Sequence, residues 1–232
     1  MPKKRNYTEF TSMVGKLHAH MCSKKHPSYM ISGKACEVMS DVIKLFIRRV
    51  VSTMGELLLS SKHMQAHTTT KVLPAINLLF PRVNPITLKP LYGEATILDE
   101  ILRYATKGMA RYRKNGKDER LFIRPVRVRR LMERGLVRNK KVVRTKTGTR
   151  TAQTSIPETS PVFLAYVVQA FVMNILRQTI TLAEDAKRLT VKAKHVHQVV
   201  RTDRDLLRFF SGVVFAGGHV MPTIHSARVF IE

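Results

Sequence analysis

The fold is decided by residues 160–201, SPVFLAYVVQAFVMNILRQTITLAEDAKRLTVKAKHVHQVVR. Apolar residues recur at Val168, Phe171, Val172, Ile175, Leu176, Leu182, Ala183 and Ala186, the spacing of one helical face, with an interruption near Thr179 and Thr181. Ser160 and Pro161 supply a cap residue and a first-turn proline. Lys187 and Arg188 break the pattern, and a short apolar helix follows over residues 192–200. A long helix, a basic turn and a short helix form one half of a two-sided unit.

The other half of the chain repeats that pattern without repeating its residues. Ser32 and Gly33 open a long helix whose apolar positions run from Ala35, Val38 and Met39 through Phe46 and Val50 to Leu57 and Leu58. At 1.5 Å per residue such a helix is about 40 Å long. So wide an apolar stripe cannot be covered by short neighbours alone, and a partner helix is expected. Ahead of it, Phe10, Met13, Val14, Leu17 and Met21 mark a short helix that ends before His26 and Pro27. Behind it, Thr68, Thr69 and Thr70 offer N-caps for a short helix ending near Phe80. Short, long, short therefore occurs twice, and each unit can supply the other's missing partner.

The rest of the chain connects and decorates these units. Ile97, Leu98, Ile101, Leu102 and Ala105 mark a further helix, expected to stop at Gly108. Residues 111–150 hold 16 of the 41 lysines and arginines and three acids, hence +13 of the net +25. Inside this segment a short helix is expected over 126–134, between Pro125 and Gly135, and residues 136–157 read as a basic loop too polar for a core. After Arg201, TDRD fits a capping box with Thr202 as the cap and Asp205 three residues on, opening a helix over 203–210. The tail from Ser211, with Gly217, Gly218 and Pro222, reads as extended.

Composition narrows the function. A charge of +25 on 232 residues repels itself and calls for a polyanionic partner, nucleic acid first, an anionic membrane surface or an acidic protein second. Two cysteines, Cys22 and Cys36, argue against a disulfide scaffold and for a reducing compartment. No apolar run is expected to span a membrane, and residues 1–10 lack a signal-peptide core. His18, His20 and His26, or His195 and His197, match no strong zinc spacing. Asp203 and Asp205 read as helix caps rather than catalytic carboxylates, and no Lys-Ser/Thr follows Gly217-Gly218 to make a phosphate loop. The chain reads as a protein without enzymatic site, metal or cofactor.

Several runs go beyond architecture. HPSYMISGKACEVMSDVIKLFIRRV, residues 26–50, resembles the histone 2B run into its long helix, and AINLLFP, residues 75–81, the end of that histone's third helix. VRVRRLMERG, residues 126–135, SPVFLAYVVQAF, residues 160–171, KHVHQVVRTDRDL, residues 194–206, and AGGHVMPTI, residues 216–224, resemble successive parts of histone 2A. A 2B-type unit fused to a 2A-type unit resembles the histone doublets of large DNA viruses. The resemblance implies an all-α protein of two tandem histone folds in an intramolecular handshake: residues 1–108 the 2B-like unit with its C-terminal helix, 109–118 a basic connector, and 119–232 the 2A-like unit with a docking tail. It also implies double-stranded DNA, a histone 4–3 type pair or doublet and a second copy of the chain as partners, with no membrane and no small molecule. Virion and host nucleus or viral factory are the places implied.

Carried over residue by residue, the resemblance puts DNA contacts at Arg127, Arg129 and Arg130 in the first helix of the 2A-like unit, and at Lys187 and Arg188 in its second loop. The family's minor-groove arginine of that loop falls on Thr190, which leaves Arg188 as its candidate replacement. In the 2B-like unit it puts them at Ser32 and Lys34, at Thr68 and Thr69, and in the basic tail at Lys3, Lys4 and Arg5. Six positions that would form the 2A-type acidic patch read Gln169, Asn174, Arg177, Asp203, Arg204 and Asp205, so peptides that dock on that patch are expected not to bind. Charge alone also admits an RNA-binding protein, and paired histone folds admit a transcription-factor subunit, whose sign would be sequence preference.

Overall fold

The computed structural model describes residues 10–25, 29–59, 71–80, 97–137, 141–145, 148–152 and 156–211. A first triple of helices, α1 (Thr11–Lys25), α2 (Gly33–Leu59) and α3 (Leu73–Leu79), is matched by a second, α5 (Pro125–Val137), α6 (Thr159–Asp185) and α7 (Ala193–Thr202). Between the triples lies α4 (Ile97–Asn115), and α8 (Arg204–Phe209) follows the second. The short strands β1 (Met30–Ile31) and β4 (Thr190–Val191) pair with each other, as do β2 (Lys141–Thr145) and β3 (Gly148–Ala152). Among the described residues the fold is all-α apart from these two ribbons.

The two long helices, each of 27 residues, cross near their midpoints, where the rings of Phe46 and Phe171 lie 4.4 Å apart between centroids. Phe80 and Phe209 extend the cluster, stacked at 4.9 Å and 7°. Helix α2 packs on α5 and α7 of the second triple, and α6 packs on α1 of the first. Each apolar stripe is thus closed by the other unit, as the patterning required.

Helix α6 is buried almost all round, from Ser160 to Val172 without a break. An 18-residue window of it has a mean hydropathy of 1.6, so by length and composition it could cross a membrane, contrary to the expectation that no run would. Here 83% of that window is inside the protein, covered by α4, α5 and α7, which makes α6 its core helix. The helix is also continuous where an interruption was expected. Thr179 Oγ1 donates to the Leu176 carbonyl (2.8 Å) and Thr181 Oγ1 to the Arg177 carbonyl (3.3 Å), so both hydroxyls are satisfied within the helix they were expected to break.

Helix α4 does not stop at Gly108 but runs on to Asn115 through most of the expected connector 109–118. Gly108 is needed for close approach: a Cβ there would clash with one edge of the Tyr166 ring, at Cγ, Cδ1 and Cε1. The αL residue that ends the helix is Gly116 (φ +66°), whose N–H donates to the Tyr112 carbonyl. Asp99 and Glu100 in the first turn and Arg113 and Lys114 in the last complement the helix dipole.

Other boundaries shift for local reasons. Helix α5 continues past Gly135 to Val137, with Gly135 set against Val51. Residues 141–145 and 148–152, expected in a loop, pair as antiparallel strands with Lys141 opposite Ala152 and Thr145 opposite Gly148. The run of Val142, Val143, Thr145, Thr149 and Thr151 is β-branched, a propensity that the density of charge had masked. Ser160 is buried in the second position of α6 and is not its cap, and Glu158 precedes the helix without a side-chain cap. Asp203, not Thr202, caps α8: its Oδ1 accepts from Asp205 N and Leu206 N, both at 3.0 Å. A carboxylate does this better than a hydroxyl because it also opposes the dipole, and Thr202 turns back to the Gln198 carbonyl instead. The expected threonine caps at residues 68–70 and the tail beyond Ser211 lie outside the described residues.

Candidate nucleic-acid interface

One loop from each unit is joined to the other by backbone hydrogen bonds. β1 and β4 pair in parallel, Met30 opposite Thr190 and Ile31 opposite Val191, with Met30 N donating to the Leu189 carbonyl (2.9 Å) and Ser32 N to that of Val191 (3.0 Å). This brings Ser32 and Lys34, at the start of α2, beside the turn that holds Lys187 and Arg188. Ser32 Oγ accepts from Ala35 N (3.2 Å), which caps α2 and leaves the hydroxyl hydrogen to donate outward. Lys34, Lys187 and Arg188 are exposed.

The turn at the end of α6 closes in a Schellman arrangement, with Lys187 N donating to the Glu184 carbonyl and Arg188 N to that of Ala183, both at 2.8 Å. That geometry needs a left-handed residue, and it is filled not by glycine but by Lys187 at φ +52°. The lysine is held in a backbone region that costs a side-chain-bearing residue roughly 1 kcal/mol. Strain of this kind concentrates at functional positions. Thr190, where a minor-groove arginine was sought, is committed to the ribbon opposite Met30, whereas Arg188 is free of the ribbon and exposed. Sequence reasoning missed Lys192 and Lys194, exposed around the start of α7 on the same connection. Their alternation with Ala193 was the available signal.

The second cationic group sits on α5. Arg127 is half-buried, and Arg129 and Arg130 are exposed. Arg129 Nε lies 3.0 Å from Glu133 Oε1, an exposed pair one helical turn apart that offsets part of its charge for about 0.3–0.5 kcal/mol. Arg124 just before the helix is exposed as well and was not anticipated; its carbonyl accepts from Arg127 N. Of the expected contacts, Ser32, Lys34, Lys187 and Arg188 are thus gathered at the paired loops, and Arg127, Arg129 and Arg130 on one helix. Lys3, Lys4, Arg5, Thr68 and Thr69 lie outside the described residues. Cations, one hydroxyl and a helix start at two places suit repeated phosphates and offer no code for bases.

Residues 105–202 match the core histone domain, the model shared by histones 2A, 2B, 3 and 4. The segment takes in the end of α4, α5, the β2–β3 pair, α6 and α7, so the second unit is a histone-fold domain. Relatives agree: the chain is 37% identical to a histone 2A of Plasmodium falciparum over 67 residues, 29% of this chain and 51% of that protein. It is 34% identical to a probable histone 2A of Arabidopsis thaliana over 67 residues, again 29% and 51%, and 33% identical to a histone 2A of Triticum aestivum over 66 residues, 28% and 49%. The chain spans about half the length of these curated relatives.

Within the histone-fold domain, one of the six positions that correspond to the 2A-type acidic patch is not on the surface at all. Gln169 is 1% exposed and works inside the protein. Its Oε1 accepts from Phe122 N (2.7 Å) and Ile123 N (3.3 Å), and its Nε2 donates to Tyr104 Oη (2.7 Å) and the Arg120 carbonyl (2.6 Å). Beside it, Asp118 accepts from Tyr166 Oη (2.7 Å), Arg111 Nε (3.1 Å) and Arg120 N (3.0 Å). Burial pushes the Asp118 carboxyl up, but those three donors outweigh it and hold the group below its ordinary value. Tyr166 is pushed well up by burial and by that carboxylate. The network ties the connection between α4 and α5 onto α6. Of the other patch positions, Asn174 accepts from Gln178 Nε2, which also donates to Asp203, and Arg177 reaches Glu100 at 3.8 Å.

Proposed function

We propose that this protein is an architectural DNA-packaging protein, a histone 2B-type fold fused to a histone 2A-type fold. In this reading residues 1–108 are the 2B-like unit, and DNA lies against the paired loops and α5. The observation that carries it is the β1–β4 ribbon, which sets the start of α2, with Ser32 and Lys34, beside the basic turn of the other unit, on a chain whose second unit matches the core histone domain. Phosphates are held by Ser32, Lys34, Lys187 and Arg188 at the ribbon and by Arg127, Arg129 and Arg130 on α5, with Lys3, Lys4, Arg5, Thr68 and Thr69 as further contacts and Arg188 entering the minor groove. None of these groups reads base edges, so binding is independent of sequence. The histone octamer, which serves as a general example of binding through backbone and deformability alone, works this way. A histone 4–3 type pair and a second copy of the chain complete a nucleosome-like particle, in a virion and in the host nucleus or viral factory.

The test is nuclease protection after mixing the protein with a histone 4–3 pair and DNAs of unrelated sequence. One discrete protected length on every DNA is expected. Protection of a single sequence would mark a transcription-factor subunit instead, and no protection, with preference for RNA, would mark an RNA-binding protein.

A further inference from the structure

Among the described residues, five large apolar side chains stand mostly in water: Met30, Leu78, Val126, Leu189 and Leu207. Scattered singly, such residues need no explanation, but Met30 and Leu189 are not scattered. Met30 is 64% exposed and Leu189 60%, and Met30 N donates to the Leu189 carbonyl at 2.9 Å across the paired loops. At the next ribbon position Val191 is buried and Ile31 half-buried against the core, so alternation along the strand turns Met30 outward. The exposed cations Lys34, Lys187, Arg188, Lys192 and Lys194 lie on the same two segments. Residues 30–34 and 186–194 contain no carboxylate; Glu184 and Asp185 come before the turn, at the end of α6. Val126, 62% exposed at the start of α5 between Arg124 and Arg127, repeats the combination of apolar side chain and cations at the second basic place.

Resting on the reading of the paired loops as a DNA interface, we infer that Met30 and Leu189 form an apolar wedge that enters the minor groove and loosens the base step it meets, while the cations around it hold the phosphates on either side. Charge selects the occupant: an apolar tip in a ring of cations matches a groove whose walls are sugar faces and whose rims are phosphates. A protein partner fits less well, because the core of a protein interface is depleted of charge and this tip has cations on both segments that carry it. A lipid surface fits less well too, because anchoring there takes a long apolar helix face and the ribbon offers two side chains. The wedge reads no pattern of donors and acceptors, so it adds grip without a base code.

The experiment uses the full chain and a short duplex carrying 2-aminopurine at TA steps, which unstack readily and brighten the probe when they do. Binding is followed by anisotropy over a range of salt. Met30→Ala and Leu189→Ala should each weaken binding about tenfold and leave the slope of log K against log salt unchanged, since an apolar contact releases no counterions. Lys34→Ala should do the reverse and lower that slope by about 1. The parent at saturation should brighten 2-aminopurine, and the double variant Met30→Ala with Leu189→Ala, also at saturation, should not. All three positions are exposed, and circular dichroism confirms that each variant is folded. If both alanine variants bind as the parent does and the probe brightens equally, the wedge is overturned while the phosphate contacts stand. If Lys34→Ala and Arg188→Ala also leave duplex binding untouched, the DNA reading of the paired loops fails and the wedge with it. Binding to anionic vesicles that the two alanine variants lose, with duplex binding unchanged, would give the apolar pair to a lipid surface and overturn the inference.

Discussion

Gln169→Glu is a change of one atom at a position where the histone 2A resemblance would place a carboxylate, and it should be severe. Gln169 uses both ends of its amide: the oxygen accepts from two backbone N–H groups and the nitrogen donates to a carbonyl and a phenol, all inside the protein. Glutamate keeps the accepting oxygen. Its second oxygen faces the Arg120 carbonyl, with no proton between them, and only the Tyr104 hydroxyl can turn round to donate. One hydrogen bond becomes a repulsion and a charge is buried with partial compensation, a cost of about 2–4 kcal/mol. For a chain of this size that lowers Tm by roughly 5–15 °C. The deficit is pH-dependent with a definite sign. Burial raises the carboxyl pKa in the folded state above that of the unfolded chain. Below the unfolded value both states are protonated, the acid can donate to Arg120, and the variant approaches the parent. The difference grows as pH rises through the unfolded value and levels off above the folded one. Thermal melts of both proteins between about pH 4 and pH 8 test this. A Tm difference near zero at neutral pH, or one that shrinks as pH rises, would refute the reading of Gln169 as a two-ended clamp.

Other outcomes follow from the same contacts. Gly108→Ala should cost about 1–3 kcal/mol by driving Tyr166 off its seat and away from Asp118, visible as a lower Tm and altered near-ultraviolet dichroism. Lys187→Gly should separate stability from binding: relief of the left-handed strain stabilises by about 0.5–1 kcal/mol, while loss of one phosphate contact lowers the slope of log K against log salt by about 1. A basic peptide that docks on the acidic patch of ordinary nucleosomes should show no measurable binding here under conditions where it binds those nucleosomes, because Gln169 is inside and Arg177 and Arg204 replace carboxylates; tight binding would sink that reading. Stability should also fall as pH drops below about 4, since Asp118 is held below its ordinary value in the fold and protonation costs it the three donors.

What the sequence made legible was periodicity and its consequence. A stripe from Ala35 to Leu58 with nothing beside it to cover it demanded a partner, and the second long helix supplied one, with the phenylalanines meeting at the crossing. What stayed illegible depended on neighbours distant in sequence. Gly108 looks like a helix stop until Tyr166 is seen lying on it. Gln169 looks like a neutralised surface position until the backbone of residues 120–123 is found against it. The β2–β3 pair was hidden because charge suggested a loop while β-branching pointed the other way, and of the two only the second bears on backbone conformation. Lys34, Lys187 and Arg188 could be named in advance from the resemblance and Lys192 and Lys194 were not, and the left-handed setting of Lys187 could not be foreseen, since nothing in AEDAKRL announces it.

The unbroken passage of α4 across the middle of the chain changes what dilution does to this molecule. Two separate chains that bury each other's long helices dissociate when their concentration falls below their Kd, and partners then exchange. Here the halves are joined by a helix that is itself packed on α6, so the partner's effective concentration is fixed by the chain and not by the solution. Pairing becomes a first-order event, the melting temperature becomes independent of protein concentration, and no solitary half is released for a foreign partner to capture.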